Sequence, residues 1–459
     1  MRKSLLDQLP LTPVAIDHEI ARELGAASVL LDQLPQAVKL IHEDLAWRGK
    51  KRVDPAKGRH GMAAEQVLRV VVLKQMMDCS YKLLAFHLAD SATYRTFCRL
   101  GFDRQPPKKA TLQKNVKRLK SKTLKAINDM MTLQAKGLGV ETGQKLRTDC
   151  TVVESNIHHP TDSSLLWDSV RVLARLMECA RDEFRIKFHD HRRRAKRRAL
   201  NINNAKNDQQ RKPLYRDLLK VTKKTVSQAE STIEQLAKVV PDGPVQMAQL
   251  TALTTELGHY VDLAQRVIYQ TERRILDDEQ VPASEKLVSI FETHTDIIIK
   301  DNRDTLYGHK LCLTSGASGL VTDAVVEEGN PADSTLAVKM VQRQKELYGK
   351  APRQACFDGG FASRANLAEI KALGVEDVAF HKRCRLEVED MVKSTWVYRQ
   401  LRAFRAGIEG VISFLKRSFG LDRCLWRSFE SFQAYVQASV LACNLLTIAR
   451  HALAAAKPA

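Results

Sequence analysis

The first part of the chain carries apolar residues at helical spacing. Between residues 60 and 136 they recur every three or four positions, which is the period of a helix with one buried face. The sequence GFDRQPPKKAT (residues 101–111) interrupts the pattern with turn-forming residues, and the next helix is expected to begin at Ala110 or Thr111. This pattern predicts a small N-terminal helical domain that ends in a basic helix over residues 111–125.

The pattern changes to that of strands at Lys145. In KLRTDCTVVESNI (residues 145–157) β-branched residues cluster and apolar and polar positions alternate, so Asp149 is expected inside a strand. Strand texture returns in TDIIIKD (295–301), GHKLCLTSGASGLVTDAVVEEG (308–329), PRQACFDGGF (352–361) and VEDVAFHKR (375–383). Helices are predicted between these later strands, at 332–348 and 363–374. Strands that alternate with helices predict an α/β core with a mixed sheet.

A long helical stretch separates the first strand from the others. It extends from about residue 163 to residue 276, and PDGP at 241–244 marks a turn between two apolar-periodic runs. We predict a basic helical hairpin inserted into the α/β core. The expected division is an N-terminal helical domain at 1–137, the first part of the core at 138–162, the insertion at 163–290, and the rest of the core with a C-terminal helix at 291–459.

The last amphipathic segment, FRAGIEGVISFLKRSFG (residues 404–420), combines an apolar stripe with regularly spaced charges. Arg405 lies one helical turn before Glu409, and Lys416 lies about two turns after it, so the three share a face. Gly407 and Gly410 flank the glutamate, although each glycine costs about 1 kcal/mol against alanine inside a helix. We interpret the glycines as positions where a phosphate backbone approaches the helix closely.

Charge points to a polyanionic partner. The 459 residues include 73 Lys and Arg against 53 Asp and Glu, a formal net charge of +20. The excess of basic residues is concentrated in residues 185–224 and in residues 108–125. A single basic block is as often a solvated surface as a binding site, but two such blocks favour a nucleic-acid partner. The side chains that we expect to contact nucleic-acid phosphates are Lys114, Lys117, Arg118, Arg193, Arg194 and Arg197.

Cysteine usage and the terminal segments narrow the class further. The nine cysteines form no C-x-x-C pair, which argues against a zinc cluster or a disulfide framework. The N-terminus has prolines and acids where a signal peptide needs an apolar run. The uncharged stretch 431–449 contains several polar residues and is predicted to be a buried helix that does not span a membrane. We expect a cytoplasmic protein associated with the nucleoid.

Three acidic residues stand in unusual positions: Asp149 within a strand, Asp358 at a strand end before two glycines, and Glu409 between glycines. Carboxylates that converge from separate elements can hold Mg²⁺, and two such ions can drive phosphodiester chemistry. Each acid also has a simpler explanation. Asp358 could be a turn residue, Glu409 an i,i+4 partner of Arg405, and Asp149 a hydrogen-bonded strand residue.

These motifs resemble those of the DDE transposases of bacterial insertion sequences. Arg405, Glu409 and Lys416 match the R, E and K of the signature Y-x2-R-x3-E-x6-K, and FDGGF resembles the motif of the second aspartate. LRTDCTVVESNI resembles the strand of the first aspartate. Residues 60–130 are similar to the N-terminal helical domain of these proteins.

The resemblance implies an RNase H-like core that cleaves and joins double-stranded DNA at element ends. Asp149, Asp358 and Glu409 would form the metal-binding triad, with Mg²⁺ as cofactor and Mn²⁺ able to substitute. Arg405 and Lys416 would position DNA phosphates. The family also implies assembly as a homodimer or a higher synaptic oligomer.

Two departures from the family pattern and two alternative functions remain open at this point. Arg402 stands where the signature has tyrosine, although Tyr398 lies one turn earlier. The separation between Asp149 and Asp358 is long, which the helical insertion explains. An RNase H-like nuclease without strand transfer would use the same triad, whereas in a non-catalytic DNA-binding protein the three acids would be structural.

Overall fold

The computed structural model forms two compact units. One comprises Met1–Ser155 together with Gly308–Ala459, and the other comprises Asn156–Tyr307. The structure describes residues 3–4, 16–48, 51–54, 57, 60–101, 105–300, 304–382 and 384–456. The predicted domain boundaries at residues 137, 162 and 290 stay a prediction, because a division into compact units does not test which segments function as separate domains.

The first unit begins with helices and a short β-ribbon. These elements are α1 (Glu19–Asp32), α2 (Pro35–Leu45), β1 (Trp47–Arg48), β2 (Lys51–Arg52), α3 (Ala64–Met76), α4 (Tyr81–Asp90), α5 (Ala92–Phe97), α6 (Lys109–Val116) and α7 (Ser121–Gly137). The side chains of Ser80 and Ser91 accept hydrogen bonds from backbone N–H groups at the starts of α4 and α5 and so cap them. The single basic helix predicted over residues 111–125 is wrong. The chain leaves α6 after Val116 and begins α7 at Ser121. Two shorter helices allow Leu112, Val116 and Leu124 all to be buried.

The remainder of the first unit contains the sheet. Its strands are β3 (Lys145–Ser155), β5 (Asp304–Ser315), β6 (Val321–Val326), β7 (Gln354–Phe357), β8 (Asp377–Phe380) and β9 (Arg423–Cys424). The order is β5-β3-β7-β8, with β6 added to β5 and β9 added to β3. β3 is antiparallel to β5 and parallel to β7, and β7 is parallel to β8. The mixed sheet with flanking helices confirms the predicted α/β fold.

Helices cover this sheet. They are α12 (Ala337–Tyr348), α13 (Arg364–Ala372), α14 (Val388–Met391), α15 (Thr395–Ser418) and α16 (Phe429–Ala455). Among the described residues, α16 alone is long and apolar enough to cross a membrane. Its middle is buried in the core of the first unit, and Asn444 accepts a hydrogen bond from the backbone N–H of Val321 in β6 at 2.9 Å and donates one to its carbonyl oxygen at 2.8 Å. The helix thus covers the edge of the sheet at β6. It is buried, as the sequence predicted, and no membrane is indicated.

The second unit is mainly helical. It contains α8 (Asp162–Phe184), α9 (Arg192–Asn204), α10 (Asp208–Leu236), α11 (Pro244–Thr271) and β4 (Asp296–Lys300). β4 pairs with β5. The prediction of two long helices is wrong in number. The chain leaves α8 at Arg185, which has the left-handed conformation (φ 60°), and the Asn207 side chain caps the start of α10. The predicted turn at PDGP does separate α10 from α11.

Candidate active site

Parallel pairing of β3 with β7 brings Asp149 and Asp358 to the same level of the sheet. Thr148 is the register partner of Phe357, so the residues that follow them are neighbours across the two strands. Asp149 lies inside β3, whereas Asp358 directly follows β7 and precedes a short 3₁₀ turn at Gly359–Phe361. Side chains at paired positions of neighbouring strands project from the same face of the sheet. Asp358 is therefore also a turn residue, as the simpler explanation had it.

Helix α15 supplies the third acid. The helix begins at the cap Ser394 and contacts β3, β7 and β8, with Leu401 and Ile408 buried on the face that it turns to the core. Arg405 lies at the margin of that face, and its side chain is 10% exposed. Glu409, one turn later, is 66% exposed. The helix therefore holds the arginine inside the site and the glutamate at its rim.

The guanidinium of Arg405 contacts all three acids. Its Nη2 lies 2.7 Å from Asp149 Oδ2 and 3.4 Å from Asp358 Oδ1, and its Nη1 lies 2.9 Å from Glu409 Oε1. The i,i+4 ion pair between Arg405 and Glu409 is thus present, as the simpler explanation for Glu409 required. The same guanidinium also joins the two aspartates, so the structure brings together all three acids that the sequence singled out.

Burial dominates the electrostatics of Asp149. Its side chain is only 15% exposed, whereas that of Asp358 is 41% exposed. Burial raises the pKa of Asp149, and the neighbouring charge of Asp358 acts in the same direction. Arg405 and a hydrogen bond at 2.8 Å from the Cys150 backbone N–H oppose the rise in pKa. Arg405 therefore stabilises the charged form of Asp149 against the cost of burying it.

Gly407 is required for a contact within the protein, which corrects part of our interpretation of the two glycines. A Cβ at position 407 would lie 1.9 Å from Nη1 of Arg147. That atom donates a hydrogen bond to the Phe404 carbonyl oxygen at 3.0 Å, and the guanidinium carbon lies 4.7 Å from the centroid of the Phe404 ring. Around Gly410 no heavy atom of the described residues lies within 4 Å of an added Cβ, so only Gly410 leaves the helix surface open.

Tyr398 has a structural role in this chain. It is buried, and its hydroxyl donates a hydrogen bond to the Phe380 carbonyl oxygen at the end of β8, at 2.9 Å. Arg402, in the signature's tyrosine position, is exposed, and its guanidinium carbon lies 5.8 Å from the centroid of the Tyr398 ring. The Tyr398 hydroxyl therefore bonds to the sheet and does not lie at the exposed surface of α15.

Sequence reasoning missed two features of the site. Arg147 lies two residues before Asp149 in β3 and so shares its face of the sheet, a signal that the strand period could have given. Asp333 lies near the second aspartate motif, since its Oδ2 would be 3.1 Å from a Cβ added at Gly360. Lys310 on β5 forms an ion pair with Asp333 at 2.9 Å. Nothing local in the sequence connects Asp333 to the site.

The predicted DNA-binding residues lie on three separate helices. Lys416, in the last turn of α15, lies 3.7 Å from Asp422 Oδ1. Lys114 on α6 and Lys117 at its end are exposed, whereas the half-buried Arg118 donates a hydrogen bond to the Leu45 carbonyl oxygen at 3.4 Å. The structure therefore leaves Lys114 and Lys117 facing solvent and directs part of Arg118 inward.

The second unit contains a basic cleft beside α9. The cleft has a volume of about 990 Å³ and is lined by residues that include His189, His191, Arg193, Arg194, Arg197, Arg198 and Lys224. Asp217 pairs with both Arg194 and Arg198. Arg193 and Arg197 are exposed and form no ion pair within the described part of the chain. The three predicted arginines therefore differ, because Arg194 is held by an acid.

The carboxylates also bear on metal binding. Across the described residues, no group of three or more His, Cys, Asp or Glu side chains is arranged as a ready-made metal site. The reason is visible in the geometry, since the Arg405 guanidinium stands between the three acids. Their chemistry nevertheless suits Mg²⁺, which takes oxygen ligands, and all three already supply an oxygen to a single cationic group.

A mixed sheet flanked by helices, with acids brought together from two neighbouring strands and a covering helix, is consistent with an RNase H-like fold. A family model described as the Transposase DDE domain matches residues 269–445, and one described as the Transposase domain (DUF772) matches residues 28–118. No curated protein and no solved structure matches the chain. Together the two family matches indicate a DDE-type insertion-sequence transposase, a family whose substrate is DNA. Asp358 and Glu409 fall within the first match, whereas Asp149 precedes it.

Proposed function

We propose that this transposase cleaves DNA at the ends of its insertion sequence and joins those ends to target DNA, with Asp149, Asp358 and Glu409 as its metal-binding triad. The observation that carries the proposal is the convergence of the three carboxylates on the guanidinium of Arg405. The three acids come from two strands and a helix that are far apart in sequence, and their convergence at one place is what shared metal binding requires.

Mg²⁺, or Mn²⁺ in its place, would be held by these three carboxylates and would supply activation of the attacking oxygen and stabilisation of the leaving oxygen. The protein's own side chains hold and orient the DNA. Glu409 and Asp358 are the more exposed acids and lie where a phosphodiester can enter, whereas Asp149 anchors the site from within the sheet. Gly410 allows a DNA backbone to approach α15 without a steric clash.

DNA is held by basic side chains outside the triad. Lys416 lies two turns beyond Glu409 on α15, and Lys114 and Lys117 face solvent on the N-terminal helices. Arg193 and Arg197 add cations in the cleft of the second unit. These side chains would contact phosphates and not bases, so they would contribute affinity that falls steeply with salt concentration.

Two further parts of the proposal follow from the reaction itself. Both ends of an element must be held together for joining, so the active species is a homodimer or a larger synaptic oligomer. The DNA substrate places the protein in the bacterial cytoplasm, at the nucleoid.

The decisive test is the variant Asp358→Asn, assayed on DNA that carries the element ends. We expect loss of Mg²⁺-dependent cleavage with DNA binding retained, because the amide keeps the shape of the side chain but removes its charge. Cleavage at the wild-type rate would contradict the triad assignment. Incubating pre-cleaved ends with a target plasmid tests the second half of the proposal, since a nuclease without strand transfer would give no joined products.

A further inference from the structure

The Arg405 guanidinium occupies an unusual position for a residue expected to bind DNA. It is almost fully buried and is shared among Asp149, Asp358 and Glu409 at distances of 2.7, 3.4 and 2.9 Å. Both of its terminal nitrogens face acids. Arg405 therefore neutralises the triad in this structure and does not project from the helix toward a phosphate.

A second observation shows that this arrangement does not satisfy the guanidinium fully. Its Nε is buried and has no hydrogen-bond partner among the described residues. A guanidinium has five N–H donors in a planar fork and pairs equally well with a carboxylate or a phosphate. Two of its three acceptors, Asp358 and Glu409, belong to side chains with considerable solvent exposure, so the fork lies at the border of an accessible site.

We propose that Arg405 is an internal counter-cation of the triad, which competes with divalent cations for Asp149, Asp358 and Glu409. The inference rests on the proposed function, because it takes those acids as the metal-binding group. The guanidinium contacts one oxygen of each acid, and its positive charge repels a divalent cation at the same place, so metal binding is weakened for as long as the guanidinium stays. A DNA phosphate is the partner that the withdrawn guanidinium would take.

This competition makes DNA and metal binding mutually favourable. A phosphate that draws Arg405 away from the acids frees their oxygens for the metal, and by linkage the bound metal frees Arg405 for the phosphate. In the absence of DNA the guanidinium would keep the triad weak for metal, so the chemistry would await a loaded substrate. The role assigned to Arg405 is therefore control of metal affinity in addition to contact with DNA.

The test measures Mn²⁺ binding to the full-length protein without DNA, and the electron paramagnetic resonance signal of free Mn²⁺ reports how much metal remains unbound. We expect Arg405→Gln to bind Mn²⁺ about tenfold more tightly than the wild type. Arg402→Gln is the matched control, since Arg402 is an exposed arginine one turn away that contacts none of the three acids, and its affinity should equal that of the wild type. Equal or weaker binding by Arg405→Gln would overturn the inference.

Two additional measurements keep the inference testable and separate from the proposed function. Adding a short DNA duplex should tighten Mn²⁺ binding to the wild type but not to Arg405→Gln, and no tightening in the wild type would overturn the inference even if the glutamine variant folds poorly. Asp149→Asn and Asp358→Asn should both lose Mn²⁺ binding. If both variants still bind Mn²⁺, the proposed triad itself is refuted. If both lose Mn²⁺ binding but Arg405→Gln binds Mn²⁺ no more tightly than the wild type, only the inference about Arg405 is refuted.

Discussion

Replacing Gly407 by alanine tests why a glycine precedes Glu409 on α15. The added Cβ would lie 1.9 Å from Nη1 of Arg147, well inside any allowed contact, so the guanidinium must leave its place against the helix. Arg147 is a buried residue of β3. The substitution therefore acts on the packing of the helix against the strand that carries Asp149.

The magnitude follows from the contacts that Arg147 would lose. Its hydrogen bond to the Phe404 carbonyl oxygen involves a charged donor and is worth about 1.5–3 kcal/mol. Its position over the Phe404 ring, 4.7 Å from the centroid, adds about 0.5–2 kcal/mol. Alanine in a helix recovers about 1 kcal/mol relative to glycine. We expect a net loss of about 1–4 kcal/mol in the free energy of unfolding.

Gly410→Ala is the matched control, because it makes the same chemical change on the same helix where an added Cβ meets nothing within 4 Å among the described residues. Helix propensity should stabilise this variant by about 1 kcal/mol. The propensity gain cancels between the two variants, so their free energies of unfolding should differ by about 2–5 kcal/mol in urea titrations followed by circular dichroism. Equal stabilities would refute the assignment of Gly407 to the Arg147 contact.

Two further predictions concern DNA affinity and pH. Replacing Arg193 and Arg197 by glutamine should weaken DNA binding and lower the slope of log K against log salt by about 1.8, because two phosphate contacts are lost. The charge-matched double variant Lys206→Gln and Lys238→Gln, at exposed positions outside the cleft lining, should change the slope much less, and equal effects would argue against a specific cleft. Burial raises the pKa of Asp149 above its ordinary value of 3.8. Between these two pKa values the Asp149 carboxyl is protonated more often in the folded protein than in the unfolded chain. The contribution of Asp149 to stability should therefore fall across that interval in the wild type and be absent in Asp149→Asn, which urea titrations at several pH values would measure.

The pattern of residues was sufficient to predict the α/β fold, because strand and helix periods are local properties. The strand around Asp149, the strand that ends at Asp358 and the helix that carries Arg405 and Glu409 all lie where the spacing of apolar residues placed them. The resemblance to the transposase family likewise came from short local motifs. The predictions that failed, such as the single basic helix over residues 111–125, concern the points where one helix ends and another begins, which depend on burial against distant residues.

What the acids and glycines of α15 contact was decided by tertiary structure. The parallel register that pairs Thr148 with Phe357 joins segments far apart in sequence, and it alone makes Asp149 and Asp358 neighbours. The sequence identified Arg405 as a cation beside Glu409, but only the approach of α15 to the sheet turned its guanidinium toward both aspartates. Side-chain partners of this kind depend on the distance and angle between packed elements, and those are set by the whole core and not by any local spacing.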